Sequence, residues 1–143
     1  MRAIPFVRSI AVWPRIAAVA LLAQGCAPTA PGWNGVFAVD AAGGAKTCTA
    51  PTAAPPDGLG LKVQVQMSND GGWCGVVANR GGTAFESYLL ATRPAHGTVY
   101  AHRVGPYTRI DYTPDPGFAG TDSFAVRLIP GDSTLEETVA VSR

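Results

Sequence analysis

Residues 112–126 read Tyr112-Thr113-Pro114-Asp115-Pro116-Gly117-Phe118-Ala119-Gly120-Thr121-Asp122-Ser123-Phe124-Ala125-Val126. Proline fixes φ and lacks a donor, glycine reaches backbone angles closed to other residues, and Asp and Thr bond locally to backbone. The stretch therefore reads as the end of a strand, a tight corner and the start of the next strand. Upstream, Ile110 and Tyr112 share one face while Arg109 and Asp111 take the other. Downstream, Phe124, Val126 and Leu128 share a face opposite Ser123 and Arg127. Between the two runs the chain crosses from one sheet to another. Pro114 and Pro116 stiffen the crossing, Gly117 and Gly120 permit it, and Phe118 caps the end of the core. Asp122 is placed to accept hydrogen bonds from free backbone N–H groups at the corner.

Outward from the corner, the period-two pattern continues. Leu61, Val63, Val65 and Met67 alternate with Lys62, Gln64 and Gln66, as in a strand with one buried and one wet face. Ser68-Asn69-Asp70-Gly71-Gly72 reads as a hairpin turn into Trp73–Ala78. Further strands are expected over 85–91, 98–103, 108–113, 123–129 and 135–141, separated by Gly- and Pro-containing turns. About seven short strands with a turn signal roughly every dozen residues predict an all-β, antiparallel sandwich over 60–143.

The same residues carry a resemblance. Pro94-Ala95-His96-Gly97-Thr98-Val99, followed by the block from Ile110 to Phe124, resembles the bacterial immunoglobulin-like, cadherin-like repeats strung in tandem in large surface proteins. The resemblance spans about residues 60–143 and implies an immunoglobulin-like fold with adhesive or spacer roles outside the cell. Here the module occurs once, without an internal repeat, and Cys48 and Cys74 are not part of the family's pattern.

Residues 1–25 contain Arg2, Arg8 and Arg15, no acidic residue, and a short apolar run over 16–23, the parts of a secretory signal peptide. That run is well short of the roughly 20 residues that span a bilayer as a helix. Leu22-Ala23-Gln24-Gly25-Cys26 resembles the lipobox of bacterial lipoproteins, which implies lipidation of Cys26 and a membrane anchor through that lipid. Ala27, in place of aspartate, then implies the outer membrane of a Gram-negative cell. An ordinary signal peptide cleaved nearby is the alternative. Either way the expected address is exported: periplasm, outer membrane or cell surface. In an oxidising compartment Cys48 and Cys74, 26 positions apart, are expected to form a disulfide.

Residues 26–59 are rich in Ala, Pro, Gly and Thr and are expected to form a tether. Within them Trp33–Val39 reads as a short strand, either packed on the domain or docking onto a partner's sheet edge.

Function classes are narrowed by what surrounds these features. Without the leader arginines, 8 basic residues face 10 acidic ones, and the basic residues are scattered, so a nucleic-acid partner is not expected. The two histidines, His96 and His102, lie in a turn and on a strand, and no nucleophile motif accompanies them. No enzyme activity, metal or cofactor is expected. Asp111, Asp115, Asp122 and Asn69-Asp70 form no calcium-loop pattern. What remains is a binding or structural module of the cell envelope. Its partner is a protein or glycan, met through exposed strand edges, the loop aromatic Tyr107, or Tyr100 and His102 on a wet strand face. The alternative is an accessory subunit of an envelope complex that docks through residues 33–39.

Overall fold

The computed structural model of the chain describes residues 38–143. The signal peptide, Cys26, the first part of the expected tether and Trp33–Phe37 lie outside the described residues. Val39, the last residue of the expected docking strand, falls in a short helix, α1 (Ala38–Ala41).

The described residues are nearly all β. Nine strands follow α1: β1 (Cys48–Thr49), β2 (Thr52–Ala53), β3 (Gly60–Ser68), β4 (Cys74–Ala78), β5 (Ser87–Thr92), β6 (Gly97–Val104), β7 (Tyr107–Pro114), β8 (Gly120–Ile129) and β9 (Ser133–Ser142). They form two sheets packed as a sandwich, in the orders β1-β3-β9-β8-β5 and β2-β4-β7-β6. Pairing is antiparallel except for two parallel ladders, β3 with β9 and β2 with β4.

The alternation read from sequence decides what is buried. Val63, Val65 and Met67 of β3, Ile110 and Tyr112 of β7, Phe124, Val126 and Leu128 of β8, and Leu135, Val139 and Val141 of β9 all face one core. Burying such side chains contributes about 1.5–3 kcal/mol each and is the main force joining the sheets.

Two expectations are corrected. Ser68–Gly72 is not a hairpin turn: β3 is flanked by β1 and β9, β4 by β2 and β7, and the loop crosses between sheets. Its residues bond across the crossing. Asp70 accepts from the Lys46 and Gly72 N–H groups, and the Asn69 side-chain amide donates to the Asp115 and Phe118 carbonyls. The second correction concerns the tether, whose described part is bound to the sandwich. β1 pairs with β3 and β2 with β4, Ala53 is fully buried, and Ala45 and Ala50 pack against the core. Small side chains offer little apolar area, but they let a backbone lie close to a sheet and form a ladder. The Cys48–Cys74 disulfide, with Cα atoms 5.4 Å apart, holds β1 of one sheet to β4 of the other.

Candidate functional site

The corner between β7 and β8 is built from both sequence blocks quoted above. The Asp122 carboxylate accepts from the backbone N–H groups of Ala95, His96 and Ser123 and from the Tyr112 hydroxyl. The Tyr112 hydroxyl, whose one proton is shared with Asp122, also lies 3.0 Å from the His96 carbonyl, and its ring stacks on Phe124, with ring centroids 5.8 Å apart. Gly97 is required there, because a Cβ would run into the Tyr112 ring. Phe118 packs against the core and stacks on His96 at 4.4 Å. Pro114 is buried, while Pro116 and Gly117 are exposed on the turn and Gly120 at the head of β8. Burial pushes the Asp122 carboxyl up, but the four donors outweigh it and leave the group below its ordinary value. Tyr112 is raised by burial and by the Asp122 charge. Every donor and acceptor here is spent on the fold, so the corner is structural.

A second cluster occupies the outer face of the four-stranded sheet. Tyr100 and His102 of β6 lie across from Asp111 and Arg109 of β7. Arg109 donates to Asp111 through Nε at 2.8 Å and Nη2 at 2.9 Å, and also to the Asp40 carbonyl. The Trp73 ring covers the guanidinium at 3.9 Å, and its indole N–H donates to the Ala42 carbonyl at 2.8 Å. Gly75, opposite Asp111, has no side chain because a Cβ would collide with the Asp111 carboxylate. Burial lifts the Asp111 carboxyl above its usual range despite Arg109.

His102 stacks on Tyr100 with centroids 4.8 Å apart, and its side chain is only 17% exposed. Its Nδ1 is buried, 3.7 Å from Asp111 Oδ2, too long for a hydrogen bond. Tyr100 is wet, at 67% exposed, whereas His102 shares its face but is largely covered, and Asp111, on the face opposite Ile110 and Tyr112 as expected, is buried there. The reason is non-local: residues 40–45 and Trp73 cover part of that face. Tyr107 is half-buried opposite Val104 at the β6–β7 hairpin. It lies four residues along β7 from Asp111, about 14 Å away, and does not join Tyr100.

The third feature is the open edge where β5 and β6 end their sheets. All six residues of β5 are exposed. Tyr88, Leu90, Val99, Tyr100, Ala101 and Val126 line a groove of about 410 Å³ between the two strands. Among the described residues, Tyr88, Leu89, Leu90, Tyr100 and Ile129 make up five of the six exposed large hydrophobic residues, Ile129 lying beside Ser87. The sixth, Leu59, stands elsewhere.

One inward group went unread in the sequence. Glu137, between Val63 and Phe124 on neighbouring strands, is 1% exposed, and neither carboxylate oxygen has a partner. Burial, and then the charge of Asp111, pushes its carboxyl up to about 8. The parity of Leu135, Glu137, Val139 and Val141 was the signal that could have revealed it. Among the described residues no group of three or more His, Cys, Asp or Glu side chains is placed to hold a metal ion, and no helix is long and apolar enough to cross a membrane.

No protein-family model matches the chain, and no curated protein is similar to it in sequence. Among solved structures it is similar to a cysteine protease inhibitor from Entamoeba histolytica, at 12% identity over 64% of this chain and 96% of that one. The TM-score is 0.31, which supports nothing about ligands.

Proposed function

We propose that this chain is a non-enzymatic binding or structural module of the bacterial cell envelope. It is a single immunoglobulin-like domain related to the cadherin-like surface repeats, exported and anchored through a lipid on Cys26. The observation that carries the binding role is the apolar groove at the open edge, where exposed Tyr88 and Leu90 of β5 meet exposed Tyr100 and the neighbouring Val99 and Ala101 of β6. Exposed apolar residues scattered singly need no explanation, whereas a contiguous patch marks an interaction surface. The disulfide fits an oxidising compartment and so supports export.

The reading is tested in cells producing the whole chain, with a photo-crosslinking residue at Leu89 or Tyr100 and a control at exposed Thr121. Adducts from the first two positions alone, with a lipid-modified Cys26 by intact mass, are expected. An unprocessed protein retained in the cytoplasm, with no adduct from either position, overturns it.

A further inference from the structure

The four sheet edges differ. β1 and β2, at one side of the sandwich, have two residues each. β6 carries Arg103 and the His102 and Tyr100 stack. Only β5 is both long and free of charge, Ser87-Tyr88-Leu89-Leu90-Ala91-Thr92, and exposed throughout. An edge strand presents unpaired N–H and C=O groups to any strand that fits, and proteins ordinarily protect it with charge, proline or shortness. Within its span β5 relies on none of these, although its register shifts between Leu90 and Thr92.

We propose that β5 is the self-association edge of this protein. A second copy pairs with it antiparallel about a two-fold axis at Leu89, joining two five-stranded sheets into one of ten strands. This rests on the reading of the open edge as a binding surface and names its occupant. The argument is complementarity of the strand with itself. Exposed Glu86 precedes the strand and exposed Arg93 follows it. In the antiparallel arrangement centred on Leu89, Glu86 of each strand falls opposite Thr92 of the other and next to its Arg93, twice by symmetry, whereas a parallel one would bring like charges together. Centring the axis on Leu89 also preserves the faces. Leu89 points outward, opposite Arg127 of β8, and meets its own counterpart. Tyr88 and Leu90 point toward the interior and meet Leu90 and Tyr88 of the second copy. The grooves beneath them then continue from one molecule into the other.

The test uses the whole chain. Leu89→Cys is expected to give a disulfide-linked dimer in intact cells, because a residue on the axis meets itself. Thr121→Cys, six residues along β8 from the Arg127 that faces Leu89, is expected to give none. In solution the unmodified protein should sediment at twice the chain mass and Leu89→Lys at the chain mass, with the two melting alike once diluted below the dimer's dissociation constant, because Leu89 is 57% exposed in the single chain. Glu86→Arg should weaken the dimer by roughly tenfold, and adding Arg93→Glu should restore it. A monomer at every concentration, with no Leu89→Cys adduct, overturns the proposal. If that monomer still forms photo-adducts with another envelope component through Leu89, the binding-module reading survives and only the self-pairing fails. If it forms none, the binding role of the edge falls as well.

Discussion

The Tyr112 hydroxyl donates to Asp122 at 2.9 Å, joining the end of β7 to the start of β8 across the corner where the chain changes sheets. Asp122 also takes three backbone N–H groups, so removing it leaves several donors without a partner. Asp122→Ala is expected to cost about 2–4 kcal/mol in urea denaturation, and Tyr112→Phe only about 1 kcal/mol, since the phenyl ring still fills its place. The pH dependence follows from the lowered Asp122 carboxyl. Its contribution is present above the unfolded value near 3.9 and is lost as pH falls through the lower folded value, so the difference between wild type and Asp122→Ala should shrink in acid. A variant as stable as wild type at neutral pH would show that the corner holds without its carboxylate.

Arg109 and Asp111 form a buried pair under Trp73, and breaking it differs from replacing it. Asp111→Ala strands a guanidinium and is expected to cost roughly 3–5 kcal/mol by chemical denaturation. The double change Arg109→Met with Asp111→Leu should recover most of that loss, because no uncompensated charge remains. Gly75→Ala, whose Cβ meets the Asp111 carboxylate, should be destabilising in the wild type but milder beside Asp111→Ala. Additive effects would rule out the shared contact.

Replacing Cys48 and Cys74 together by alanine opens a loop of 26 residues. Loop entropy puts the cost at about 3.5 kcal/mol, a large share of the roughly 5–15 kcal/mol that a domain possesses. Thermal melts with and without reductant should differ for the wild type and coincide for the double variant.

Glu137 gives a signed prediction. Its folded value, raised to about 8 from the ordinary 4.5, means the folded state holds a proton that the unfolded state has lost. The associated stability is present below about 4.5 and disappears as pH rises toward 8. The lowered carboxyls of Asp57, Asp70, Asp122 and Asp132 act below this window. Denaturation midpoints should therefore fall between pH 5 and 8 more steeply for wild type than for Glu137→Gln. Equal slopes would mean that the Glu137 carboxylate finds a partner when ionised.

What could be read in advance was what depends on near neighbours. The parity of Ile110 and Tyr112 against Phe124 and Leu128, the turn chemistry from Pro114 to Gly120 and the acceptor role of Asp122 are local, and each is present in the structure. The sequence puts His102 on a wet face because nothing near it says that residues 40–45 and Trp73 cover part of that face. Ala53 and Ala45 were assigned to a tether because composition measures how much area a side chain can bury, not how close its backbone can come to a sheet. The β5 edge stood apart for a similar reason. An apolar run such as Tyr88-Leu89-Leu90 reads as core until the sheet order leaves it without a neighbour.

The disulfide also redirects force. A pull applied upstream of Cys48 passes through the sulfur bridge to Cys74 at the head of β4 and bypasses all of β2 and β3. The strand that makes a nine-pair parallel ladder with β9 would thus remain an unstretched covalent ring while the rest of the domain was drawn out. Stretched from its two ends, the oxidised protein should release about 90 Å less chain than the reduced one, the length of 26 extended residues.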